Sequence, residues 1–254
     1  MKWIKQYGKQ RTGTNYARAI IEKNFADVQV LSNILGWKHG HVEPLGLWIH
    51  NHTRMGSDGN LCIESEGIKH KINPLFLYDA IAEGEMRYVI SVRNPYAFIV
   101  GIFNHWERLS GENVFERCDW LSLIAEQCRD YSVKYRDWIR LHRDWPKRSA
   151  AIRHEAVVYD PVAVLGSIRN RLALDVIPLE RTMISGQVEA TQDAGTVVSR
   201  TAFRREWYKA DGYLKQLDDQ MINVIEAEID WPTMAELGYT KGRQYSNWLV
   251  DRKV

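Results

Sequence analysis

The chain has 254 residues, 45% hydrophobic and 26% charged, with a formal net charge of +2. That composition is ordinary for one packed globular domain and excludes a disordered or fibrous chain. The near-neutral charge removes a general electrostatic case for nucleic acid or a membrane surface as partner.

The first element is a short strand over Lys2-Trp3-Ile4-Lys5-Gln6-Tyr7. It runs into Gly8-Lys9-Gln10-Arg11-Thr12-Gly13-Thr14-Asn15. From Thr14 to about Phe25 the spacing predicts a helix, with Tyr16 and Ile20 on one face and Ala17, Ile21 and Phe25 on the next turn. A strand, a glycine-containing loop and a helix in that order put backbone N–H groups at a helix N-terminus, which attracts a phosphate or sulfate. Gly8 and Gly13 hold the glycine positions of the nucleotide-cleaving pattern G-x-x-x-x-G-K-[ST]. The two positions that follow, Lys and Ser/Thr in that pattern, are here Thr14 and Asn15, and the cation lies inside the loop at Arg11.

Val28 to Leu31 reads as a second strand. From Leu35 to about Lys71 the pattern is weak and rich in glycine, which predicts a long irregular insertion at about 35–71. Asn73-Pro74 opens a short helix through Ala82. Met86–Val92 reads as a buried strand that runs into Arg93-Asn94-Pro95, with Pro95 in the first turn of a helix carrying Phe98, Ile99, Ile102 and Phe103 inward. Two strand-end arginines, Arg11 and Arg93, thus fall at the edge of an open α/β sheet where ligands bind, able to hold two phosphates of one nucleotide.

From Asp119 to His142 the stripe Trp120, Ile124, Cys128, Tyr131, Tyr135, Trp138 and His142 is helical. Ser149–Arg153 is the next strand, and Asp160-Pro161 starts a helix with Leu165, Ile168 and Leu172 inward. Gln187 to about Ser199 reads as a polar mobile loop. Leu214, Leu217, Met221, Val224 or Ile225, and Ile229 define a late helix. Strands alternating with helices predict one α/β domain over 1–254, with a central, mostly parallel sheet flanked by helices in three layers.

The loop and strand-end motifs together resemble the sulfotransferases that use 3′-phosphoadenosine-5′-phosphosulfate (PAPS) as co-substrate. Arg11, Thr12, Gly13, Thr14 and Asn15 are similar to the family's 5′-phosphosulfate loop, with Gln10 flanking it. Arg93, Asn94 and Pro95 are similar to its 3′-phosphate motif, except that Gly101 stands at the position of the family's serine and removes one hydroxyl contact. Softer similarity to a bacterial and viral branch runs through Asn24-Phe25, Gly36-Trp37-Lys38-His39-Gly40, Asn94-Pro95-Tyr96-Ala97, Trp207-Tyr208 and Leu237-Gly238-Tyr239. The resemblance implies a P-loop NTPase-like fold and sulfuryl transfer to a hydroxyl or amine acceptor, a carbohydrate or other small molecule. Arg11 would stabilise the leaving oxygen. A general base is also implied, and two histidines are candidates: His70, by its place in chain order, and His39, preferred because its segment resembles that branch. Arg204, Arg205 and Tyr208 fall where the wider family closes over the nucleotide, although a solvated basic face is the simpler reading.

Two rival readings are a small-molecule kinase on the same scaffold, opposed by Thr14 at the lysine position, and a catalytically silent nucleotide-binding protein, suggested by Gly101. His39, His41, His50 and His52 are close in sequence but lack a cysteine or carboxylate pattern, so no metal is expected. Trp37 and Trp48 are candidates for stacking on an acceptor, and Trp106 lies close by in sequence. Cys62, Cys118 and Cys128 have no metal spacing and read as reduced thiols. With no signal-peptide h-region after Met1 and no apolar run of ~18 residues, the expectation is a cytoplasmic protein with no membrane span.

Overall fold

The computed structural model describes residues 2–31, 34–52, 61–65, 68–110, 119–175, 186–191, 195–202 and 212–242; for 49–52, 61–65, 68–72, 74, 76, 77, 186–191 and 195–202 the description is of the backbone. Four strands form a parallel sheet in the order β2-β1-β5-β6, where β1 is Lys2–Tyr7, β2 Val28–Leu31, β5 Met86–Val92 and β6 Ser149–Arg153. Tyr7 lies opposite Ile90, and Val92 opposite Arg153, so the C-terminal ends of β1, β5 and β6 share one edge.

Alternation along the strands splits the core into two layers. Trp3, Tyr7, Met86, Tyr88, Ile90 and Val92 face one side. They pack with α4 (Pro95–Ser110), α5 (Trp120–Asp144) and α8 (Asp219–Glu228). Ile4, Val30, Val89, Ala150 and Ile152 face the other side. They pack with α1 (Thr14–Asn24), α6 (His154–Tyr159) and α7 (Pro161–Leu172). The result is an all-parallel sheet covered on both faces by helices, as buried parallel strands require.

The α5 stripe is as its spacing predicts: Ile124, Cys128, Tyr131, Tyr135 and Trp138 are fully buried. Each such aromatic contributes about 1.5–3 kcal/mol by leaving water. Asp119 caps this helix by accepting from the Ser122 N–H, and Asp160 caps α7 by accepting from Ala163.

Three segments differ from expectation. The stretch expected to be irregular contains α2 (Leu45–His52) and an antiparallel hairpin of β3 (Leu61–Ser65) and β4 (Ile68–Ile72), ahead of α3 (Pro74–Ala82). Trp48, 1% exposed, anchors α2 in the core and is therefore no acceptor platform. The expected mobile loop is a second hairpin, β7 (Gly186–Thr191) with β8 (Gly195–Ala202). Its β-branched Val188, Thr191, Thr196, Val197, Val198 and Thr201 favour extended backbone despite the polar neighbours. The late helix begins after a 3₁₀ turn at Leu214–Gln216, because Asp218 accepts from the Met221 N–H and starts α8 anew. Helix α9 (Trp231–Glu236) then returns against α5. Among the described residues no helix is long and apolar enough to cross a membrane.

Candidate functional site at the sheet edge

The crevice between β1 and β5 is where the strand order turns back on itself, since β1 leads through α1 to β2 on one side and β5 lies on the other. In open α/β sheets such a switch point is the usual ligand site. Gly8 ends β1 there. A Cβ on Gly8 would stand 2.6 Å from the Ser91 carbonyl oxygen, so only glycine lets the loop leave the sheet so close to β5. Thr12 closes the loop: its N–H donates to the Lys9 carbonyl at 3.2 Å and its hydroxyl to the same oxygen at 2.7 Å, with the Ser91 carbonyl at 3.2 Å. That hydroxyl is therefore turned into the loop. Arg11 (φ 66°) and Gly13 (φ 82°) adopt left-handed backbone and fold the chain into α1. Gly13 caps α1 without a side-chain hydrogen bond, and the first turn carries no acid, which leaves the positive end of that helix for a ligand.

The loop cations divide their roles. Lys9 is buried and its ammonium meets Asp130 of α5, a carboxylate it shares with Lys134. Burial lowers the Lys9 pKa, and the Asp130 partner opposes that shift. Lys9 thus ties the loop to α5. Gln10 is exposed. Thr14 is buried and its carbonyl accepts from Gln6 Nε2 at 2.8 Å, while Asn15 accepts from Lys38 Nζ at 2.9 Å.

At the end of β5, Asn94 accepts from the Tyr96 and Ala97 N–H groups at 2.9 and 3.3 Å and so caps α4, with Pro95 in the first turn. The Arg93 guanidinium donates through Nη1 to the Arg11 carbonyl at 3.0 Å. It lies where a side chain on Gly101 would stand. Helix α5 braces this edge from below: Tyr131 donates to the Arg93 carbonyl, and Tyr135 to the Ser91 carbonyl at 2.6 Å.

Residues 35–42 form a fixed wall beside the loop. Lys5 donates to the Gly36 carbonyl at 2.6 Å and Tyr7 to Leu35 at 2.5 Å. The Gly8 N–H donates to Lys38, Trp138 Nε1 to Gly40, and the Val42 N–H to Asp137. His39 meets the Gly8 carbonyl through Nδ1. A carbonyl accepts only, so Nδ1 carries the proton and Nε2 keeps the lone pair, the tautomer a general base needs. Burial, then the Lys38, Lys9 and Lys134 charges, lower the His39 pKa to about 3 against the opposing pull of the Gly8 carbonyl. The ring is neutral at neutral pH. Trp37, 51% exposed, stands edge-on to His39 with ring centroids 4.7 Å apart.

The structure therefore brings Arg11, Thr12, Gly13, Thr14, Asn15, Arg93, Gly101 and His39 to one edge. His70 lies on β4 opposite Ile63, and its side chain is outside the described residues, as are those of His50 and His52. Arg204, Arg205 and Tyr208 are outside them altogether. No group of three or more His, Cys, Asp or Glu poised for a metal occurs among the described residues.

One residue of this edge escaped the sequence reading. His154 follows β6 as Arg93 follows β5, and its imidazole lies where a Cβ on Gly13 would stand. Burial, then the Arg93 and Arg11 charges, hold its pKa well below the ordinary histidine value. The signal that finds it is the one that singled out Arg93: a basic residue at the C-terminal end of a parallel strand.

Fold and edge together describe an α/β protein with a candidate anion-binding crevice. Searches against family models and against curated protein sequences give no match to this chain.

Proposed function

We propose that this chain is a sulfotransferase of P-loop type that takes a sulfuryl group from PAPS. The observation that carries the reading is the meeting of the Gly8–Gly13 loop and Arg93 at the β1/β5 switch point, joined by the Arg93–Arg11 hydrogen bond. In this reading Arg11, the amides at the start of α1 and the flanking Gln10, Thr14 and Asn15 receive the 5′-phosphosulfate, and Arg93 receives the 3′-phosphate. The acceptor oxygen or nitrogen attacks sulfur in line, the bond from sulfur to the bridging phosphate oxygen breaks, and 3′-phosphoadenosine-5′-phosphate leaves. Arg11 stabilises the charge that develops on the bridging oxygen. His39 Nε2 or His70 takes the acceptor proton; for His39 the bound phosphosulfate charge, which offsets the Lys38 and Lys9 charges, first raises the basicity that burial lowers. The half-exposed Trp37 beside His39 supports a carbohydrate or small hydroxyl compound as acceptor.

Calorimetric titration with 3′-phosphoadenosine-5′-phosphate and with Mg-ATP tests the reading, on wild type, Arg11→Ala and Arg93→Ala. Micromolar binding of the bisphosphate, lost in both variants and absent for ATP, is the expected result. A preference for Mg-ATP would replace the reading with a kinase-like one. Tight bisphosphate binding without turnover of PAPS on a broad acceptor panel would leave a silent binding protein.

A further inference from the structure

We infer that His154 is a third ligand of the anion held between Arg11 and Arg93, and that it joins the bound state as an imidazolium. The inference rests on the anion-binding part of the preceding reading and on none of its sulfuryl chemistry.

The geometry brings three basic groups from three segments to the mouth of one helix. Arg11 comes from the loop after β1, Arg93 from the end of β5 and His154 from the end of β6. The imidazole covers Gly13, the residue that caps α1 without a side-chain hydrogen bond. Burial, then the Arg93 and Arg11 charges, holds the ring neutral. Glu155, its neighbour on α6, has both carboxylate oxygens committed, to the Asn94 N–H and the Tyr239 hydroxyl. On the far side of the loop lie Lys38 and His39, which meet Asn15 and Gly8.

An oxyanion entering this cluster reverses the balance. It offsets the two guanidinium charges and offers an acceptor to an N–H of the ring. His154 then takes one proton from solvent as the anion binds. A group whose pKa rises on binding makes affinity grow as pH falls through the bound-state value. The site thus favours anions carrying two full charges and binds them more tightly on the acid side of neutrality.

Inorganic sulfate is the probe, because it does not titrate near neutral pH and any proton taken up belongs to the protein. Sulfate binding is followed by imidazole nitrogen NMR and by calorimetry in buffers of different ionisation heat, on wild type, H154Q and, as a control at the opposite sheet edge where His142 meets Ser149, H142Q. Expected are a rise of the His154 pKa with sulfate and an affinity that tightens about tenfold between about pH 8 and about pH 6. H154Q flattens that slope and H142Q keeps it. A His154 signal indifferent to sulfate, a slope that survives in H154Q, or no sulfate binding would each overturn the inference. Proton-linked sulfate binding with no bisphosphate binding would uphold it while removing the sulfotransferase reading. Bisphosphate binding without proton uptake would do the reverse.

Discussion

The Arg93 guanidinium occupies the space that a side chain on Gly101 would fill. Glycine on α4 costs helix propensity, and what it provides here is room for Arg93 to reach the Arg11 carbonyl. The substitution Gly101→Ser would put a Cβ into the guanidinium and push Arg93 off that carbonyl. Because the obstructed group is the end of a long side chain, the expected loss of stability is small, about 1 kcal/mol. Bisphosphate affinity should fall several-fold, as read by calorimetry. Tighter binding would instead mean that Arg93 swings out freely and that the hydroxyl adds a contact to the ligand.

Gly13 is constrained twice, by a left-handed backbone and by the His154 imidazole over its Cα. Replacement by alanine should destabilise by about 1–3 kcal/mol, since both strain and overlap act at one atom. Urea denaturation measures the loss. A Gly13→Ala protein as stable as wild type would show that the loop relaxes at little cost.

Much of this edge was legible before the structure. Strands β5 and β6 fall on their expected residues because they are short apolar runs bounded by Arg93 and Trp145-Pro146, and the α5 stripe follows from its period. The crevice loop was legible because glycine spacing reflects a backbone requirement. What was not legible depends on partners distant in sequence. The 35–42 wall takes its conformation from Lys5, Tyr7, Gly8, Asp137 and Trp138, and nothing local encodes those bonds. Trp37 and Trp48 look alike in sequence, yet packing exposes one and buries the other. Lys9 and Arg11 are two cations in one loop, and only the position of Asp130 on α5 decides which is drawn inward.

Tyr131 and Tyr135 support the crevice from beneath, each through a hydroxyl on a backbone carbonyl of the β5 edge. Tyr135→Phe keeps the ring and removes the bond to Ser91, leaving that carbonyl to the longer Thr12 contact. The expected cost is about 1 kcal/mol. Tyr131→Phe should cost a similar amount at the Arg93 carbonyl. Thermal melts of both single variants and the double variant test this. Because the two hydroxyls serve carbonyls two residues apart, the double variant should depart from simple additivity. Unchanged melting in all three would mean that solvent replaces both bonds.

His39 sets an acid limit on stability. Its pKa is near 3 in the folded chain, against an ordinary value of 6.5 for an unfolded histidine. Above the unfolded value both states hold a neutral ring and the contribution to stability is complete. As pH falls through it, the unfolded chain takes a proton that the folded one refuses, and stability declines until pH approaches the folded value. One such histidine costs about 1.4 kcal/mol per pH unit across that window, or roughly 2 kcal/mol between neutrality and pH 5. His154 and His142 are shifted in the same direction and steepen the decline. Denaturation midpoints at several pH values, on wild type and His39→Gln, measure the slope. The variant should lose close to one proton's worth of pH dependence. Saturating sulfate should flatten the part that belongs to His154, because the anion returns the proton that burial and the two arginines had expelled.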